Sequence, residues 1–151
     1  MQGASKSYYK KQNNMNKTDQ FNWWLTSIPD KKNALKESLP ASIAGKLDGS
    51  LQSLDLLETY LLETYKTGDL TEPAHSNTLD MLASYVGDVA EKNLPGSKWT
   101  INTTDKDNIH YNFPVLKAGD YIFNPFSNIT ASIHRRKGNY LRERVEALQE
   151  D

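Results

Sequence analysis

Cysteine is absent from these 151 residues. That excludes disulfides, thiolate nucleophiles and every cysteine-ligated metal site. No apolar run approaches the roughly 20 residues of a membrane span. The opening stretch "MQGASKSYYKKQNN" lacks the apolar centre of a signal peptide. The formal net charge is only -1, so no global field draws nucleic acid or an anionic membrane to the chain. These absences lead to the expectation of a cytoplasmic protein with no membrane role.

Catalytic patterns are also missing. The three histidines, His75, His110 and His134, show neither H-E-x-x-H nor H-x-H spacing. There is no G-x-S-x-G, P-loop or G-x-G-x-x-G. Asp105-Lys106-Asp107-Asn108 begins like a calcium loop but lacks its glycine and distal glutamate, so it reads as a turn. No metal or cofactor is implied, and the chain leans away from being an enzyme.

What is present divides the chain in two. Lys6, Lys10, Lys11 and Lys17 precede the first acid, Asp19, among Ser, Gln and Asn. Residues 1–17 therefore read as a disordered basic leader, an extension ahead of Met15 or a basic arm, and as the one part suited to nucleic acid. Residues 18–151 read as a single globular domain, long enough to bury a core.

"LDLLETYLLETYKTG", residues 54 to 68, says almost the same thing twice. Its period is five, and five residues turn a helix by about 140° beyond whole turns, so the copies face different ways. Read as one helix, Leu54, Leu57, Leu61 and Tyr65 form a stripe, widened by Leu51, Leu56, Tyr60 and Leu62. Glu63 falls on the narrow polar arc. Glu58 falls inside the apolar arc, where a carboxylate must be paired or protonated. Two readings follow: a structural ion pair or helix-cap acceptor, or an acid lining a cleft.

Around this helix the pattern predicts a short helix capped by Thr18 or Asp19 and stopped by Pro29. A second is capped by Asp30 and ends before Pro40. Residues 41–50 read as a turn region, and Ser50 or Ser53 caps the central helix. Ser76 or Asn77 caps the next one, whose stripe is Leu79, Leu82, Val86 and Val89. Gly87 inside it costs about 1 kcal/mol against alanine, which suggests close packing, against the Glu58 helix or a ligand. The period then changes to two. Trp99, Ile101 and Thr103 alternate, and so do Ile109, Tyr111, Phe113 and Val115, which predicts strands. Pro114 marks an edge or strand exit. Asn124-Pro125 starts a helix that Gly138 ends, and "NYLRERVEALQED" is the last. The fold class expected is α+β: five or six helices, a two- to three-stranded antiparallel meander at about residues 98–123, and two C-terminal helices.

Residues 48 to 91 carry nine acids against one lysine, Lys66. The dense basic cluster is Arg135-Arg136-Lys137. Arginine's fork suits a partly buried carboxylate, so Arg135 or Arg136 is expected to reach Glu58. The acidic helices, with Asp80 and Asp88 outward, suit a basic protein partner such as a nuclease. Trp23 cannot face the same way as Trp24 and is a candidate contact residue.

"SLDLLETYL", "YVGDVAEKNL", "KWTI", "YNFPVL" and "NITASIHRRKGNYL" together resemble a group of small, mostly uncharacterised bacterial α+β proteins. The resemblance spans roughly residues 20 to 142 and lands on Glu58, Gly87, Trp99, Arg135, Arg136 and Gly138. The group is similar in style to immunity or accessory proteins of bacterial competition systems. It implies no activity. The reading that follows is an immunity- or antitoxin-like protein-binding module that occludes its partner through the acidic helices. The alternatives are a small-molecule-binding or hydrolytic domain with a cleft at Glu58 and Arg135 or Arg136, and a structural subunit of a larger complex.

Overall fold

In the computed structural model, which describes residues 16–149, the first feature is a cap. Asn16 accepts the Asp19 N–H at 2.7 Å and opens helix α1 (Lys17–Thr26). The cap must lie just outside the first helical residue. Here that is Asn16, so Thr18 and Asp19 sit inside the helix. The leader's expected boundary therefore moves: Lys17 belongs to the folded body, and its ammonium donates to the Tyr111 hydroxyl at 2.7 Å. Residues 1–15 lie outside the described residues.

Ser27 joins α1 to α2 (Ile28–Ser38). Pro29 sits in the first turn of α2, where its missing N–H has no partner to lose. It starts a helix rather than stopping one, and Asp30 lies in the first turn beside it rather than at the cap. One helical turn, α3 (Ala41–Ala44), leads to α4 (Leu51–Thr64). Ser50 caps α4 by accepting the Ser53 N–H at 3.2 Å, as expected. Two 3-10 turns, Asp69–Thr71 and Pro73–His75, run directly into α5 (Ser76–Asn93). Ser76 already has helical dihedrals and α5 has no side-chain cap, so neither expected capping residue acts as one.

Three short strands follow: β1 (Lys98–Thr100), β2 (Val115–Ala118) and β3 (Tyr121–Phe123). They form an antiparallel sheet in the order β1-β2-β3, with Trp99 opposite Leu116 and Leu116 opposite Phe123. The meander is as expected, but its second strand does not begin at Ile109. Residues 101–114 are irregular apart from one parallel bridge between Asn102 and Tyr111. Asn108 bends the chain by accepting the His110 N–H at 2.8 Å. Asn112 is left-handed at φ 63, a conformation no strand contains. Pro114 stands at the entry to β2.

Helix α6 (Pro125–Arg135) starts as read from Asn124-Pro125: the Asn124 side chain accepts the N–H groups of Phe126 at 3.0 Å and Ser127 at 3.2 Å. It closes on Arg136, left-handed at φ 54, two residues before the glycine expected to end it. Helix α7 (Tyr140–Gln149) completes the described chain.

The core is continuous. Leu54, Leu57 and Leu61 on α4 have no exposed surface and meet Leu82, Val86 and Val89 of α5, with Ile129, Ile133, Leu141 and Val145 of α6 and α7. Gly87 serves a different neighbour from the one expected. A Cβ there would lie 2.4 Å from Trp99 Cη2, so the glycine admits the β1 tryptophan rather than α4. Among the described residues no helix is long and apolar enough to cross a membrane.

Candidate functional site

Glu58 is fully buried on α4. Its carboxylate accepts the backbone N–H of Tyr140 at 3.0 Å and of Leu141 at 2.8 Å. These are the first two residues of α7, whose N–H groups have no partner inside their own helix and carry the positive end of its dipole. The charge of Glu58 is matched by that terminus, so it needs no arginine. This is the helix-cap reading. The expected ion pair with Arg135 or Arg136 does not form among the described residues, and Glu58, with no exposed surface, presents nothing to an open cleft.

The two arginines do other work. The Arg136 guanidinium donates to the Leu62 carbonyl at 2.5 Å and approaches that of Tyr65 at 3.4 Å, at the end of α4. Arg135 lies over the Tyr140 ring, 5.4 Å from its centroid. A single exchange results. A side chain from the middle of α4 closes the start of α7, and a side chain from the α6–α7 joint closes the end of α4. Beside it, Asp55 Oδ2 accepts from Arg142 Nε at 2.8 Å, and Arg142 also pairs with Glu146 at 2.7 Å.

Asp80 and Asp88 are not a free acidic face. Asp80 accepts from Trp24 Nε1 at 2.6 Å. Lys31 Nζ lies 2.8 Å from its other oxygen, off the hydrogen-bonding direction, and 4.8 Å from the Trp24 ring centroid. Asp88 pairs with Lys32 at 2.7 Å and with Lys92 at 2.9 Å. Burial opposes the charge on Asp88, but the two lysines outweigh it and hold the carboxyl below its ordinary range. The lysines of α2, about fifty residues earlier in sequence, thus neutralise the acids of α5. Counting charge only between residues 48 and 91 missed them; the adjacent pair Lys31-Lys32 on an amphipathic helix was the available signal. Between α4 and α5, the Tyr85 hydroxyl meets Ser53 Oγ at 2.6 Å and accepts the Gly49 N–H at 3.1 Å, while burial pushes its phenol up.

Exposed apolar surface lies elsewhere. Trp23 is 44% exposed, as its position beside the inward Trp24 required. The larger group belongs to the sheet and the segment before it. Ile109 is 84% exposed, and Phe113, Tyr121 and Ile122 are also exposed. Phe113 rests against Phe126, with ring centroids 5.3 Å apart. The alternation that suggested a strand over 109–115 hid this group, because it placed Ile109 and Phe113 on one side with Val115, which alone of the three is buried. Among the described residues no cluster of His, Asp and Glu could hold a metal ion.

Comparisons of the chain with protein-family profiles, with curated proteins and with solved structures gave no match.

Proposed function

We propose that the chain is a cytoplasmic protein-binding module of the occluding, immunity- or antitoxin-like kind, and that it docks through the sheet and the 101–114 segment. The resemblance to small proteins of bacterial competition systems belongs to the same proposal. The observation that carries it is the exposure of Ile109, with Phe113, Tyr121 and Ile122 in the same stretch of chain. Folding gains nothing by presenting four large apolar side chains to water, and exposed apolar side chains are what a contact surface buries. The acidic helices, first in line from the sequence, are a poorer surface because Asp80 and Asp88 already hold cations.

The test is affinity capture from bacterial lysate at low and high salt, comparing the native chain with an Ile109→Asp, Phe113→Asp double variant. A stoichiometric partner kept at both salts by the native chain and released by the variant is the expected result. Capture that vanishes at high salt would return the interface to the charged helices. Equal capture by the variant would remove the 101–114 segment from it.

A further inference from the structure

A hollow of about 440 Å³ opens between the outer face of the sheet and the 101–114 segment. Its size is that of a small-molecule site, roughly 300–1,000 Å³. Ile101, Val115 and Ile122 give it an apolar side. Its polar side chains share one property, which follows from where their other atoms are bound.

Asn102 and Asn108 both line the hollow. The Asn102 side chain accepts the N–H groups of Thr104 at 3.2 Å and Asp105 at 3.0 Å. The Asn108 side chain accepts the His110 N–H at 2.8 Å. A backbone N–H can be accepted only by the amide oxygen, so both oxygens are occupied and both NH2 groups remain to donate. His110 also lines the hollow, and its Nδ1 faces the side-chain nitrogen of Asn124 at 3.1 Å. The Asn124 oxygen is already taken by Phe126 and Ser127, so the atom turned to the ring is the NH2. An NH2 only donates. Nδ1 of the neutral ring is therefore the acceptor, and the ring proton sits on Nε2, a third donor beside the Lys117 ammonium.

Asn102, Asn108, His110 and Lys117, all residues of the lining, thus have two amide NH2 groups, one imidazole N–H and one ammonium to donate. The threonine hydroxyls of the hollow can donate as well. Among the described residues no carboxylate lines it. Asp105 and Asp107 belong to the same segment but lie outside the lining, and Asp105 spends an oxygen on the Asp107 N–H. Amide, imidazole and ammonium donors with no carboxylate among the lining side chains suit one class of ligand. We propose that this hollow is a binding site for a small organic acid, one that presents a carboxylate or phosphate to Asn102, Asn108, His110 and Lys117 and lays its apolar part along Ile101 and Ile122. The site shares Ile122 and the 101–114 segment with the proposed docking surface, but Ile109 and Phe113 do not line it, so the Ile109→Asp, Phe113→Asp variant tests lysate capture at residues outside the acid site.

The test is a ¹H–¹⁵N NMR titration of the full chain with inorganic phosphate and with acetate, each against chloride at equal ionic strength. The expected result is a saturable shift of the Asn102 and Asn108 side-chain NH2 signals and of residues 115–117. Saturation by phosphate alone or by acetate alone identifies the headgroup, and either supports the site. Asn102→Asp keeps the oxygen that accepts from Thr104 and Asp105 but turns the donor into a charged acceptor. It should leave the melting temperature unchanged and weaken binding by roughly tenfold or more. Lys117→Gln, an exposed strand position, should weaken it with no structural change. The proposal is overturned if neither anion saturates, if Asn102→Asp binds as well as the native chain, or if the shifts centre on residues 134–137 instead.

Discussion

A buried carboxylate with two backbone partners responds to the loss of one oxygen, not only to the loss of charge. In Glu58→Gln the remaining oxygen accepts one α7 N–H while the new NH2 faces the other. The expected cost is about 2–3 kcal/mol, since charged hydrogen bonds carry more than neutral ones and an opposed donor pair is left behind. Urea unfolding checks it: the midpoint should fall with an unchanged slope, and an unmoved midpoint would sink the cap account. Gly87→Ala is a sharper case, because two effects oppose each other. Helix propensity alone would stabilise by about 1 kcal/mol. The Cβ, however, meets the Trp99 ring at 2.4 Å, and overpacking a core costs about 1–3 kcal/mol. A net loss with altered tryptophan fluorescence is expected; a net gain would mean that Trp99 yields freely. Both residues were legible as unusual in sequence, Glu58 by its place on the apolar arc and Gly87 by its place inside a helix. Their partners were not. The N–H groups of Tyr140 and Leu141 have no side-chain signature, and no periodicity links Gly87 to a strand ring.

Between elements, α2 and α5 are joined by charge as well as by packing, and this coupling has a pH window. The Asp88 carboxyl is held below its ordinary value of 3.8 in the fold. Its contribution to stability is therefore complete above that value and is lost as pH falls through the lowered one. Acid unfolding should steepen below about pH 4, and Asp88→Asn should flatten the curve there while lowering stability at neutral pH. Identical acid curves would count against the pair. At the α6–α7 joint, Arg136→Gly and Arg136→Ala both remove the bonds to the α4 carbonyls. Only alanine keeps a side chain at φ 54, so it should be the worse by about 1 kcal/mol. Thermal melts of the two variants measure this directly. The helices were readable because each carries an apolar stripe. The second strand was misplaced because period two over so short a stretch also arises by chance in an irregular segment. Asn108 and Asn112, turn-forming residues inside that stretch, were the contrary signal.

For the whole molecule, the count of charges says less than their pairing. The acid-rich middle suggested an acidic face, although the net charge is only -1. Folding brings Lys31 and Lys32 onto that face, beside Lys92 of α5 itself, and leaves exposed apolar side chains on the sheet and the segment before it. Ile109→Asp alone should leave stability within about 0.5 kcal/mol of the native chain, since an 84% exposed side chain has little to lose. A large loss of stability in that variant would show that Ile109 is covered in solution. The α+β class was legible from the change of period along the chain. The docking end was not, because it depends on which side of a short sheet the helices cover.

The exchange between α4 and the last two helices has a consequence for the order in which the chain is made. Synthesis runs from the N-terminus, and α4 leaves the ribosome long before Arg136, Tyr140 and Leu141 are joined to the chain. Until then the end of α4 lacks its guanidinium and Glu58 has no N–H groups to face. A nascent chain stalled before residue 136 should therefore remain open to protease at α4, and protection should arrive in one step once α7 emerges. Closure of the core thus waits for α7 rather than proceeding helix by helix, and shorter nascent chains leave Leu54, Leu57 and Leu61 without the α6 and α7 residues of their core.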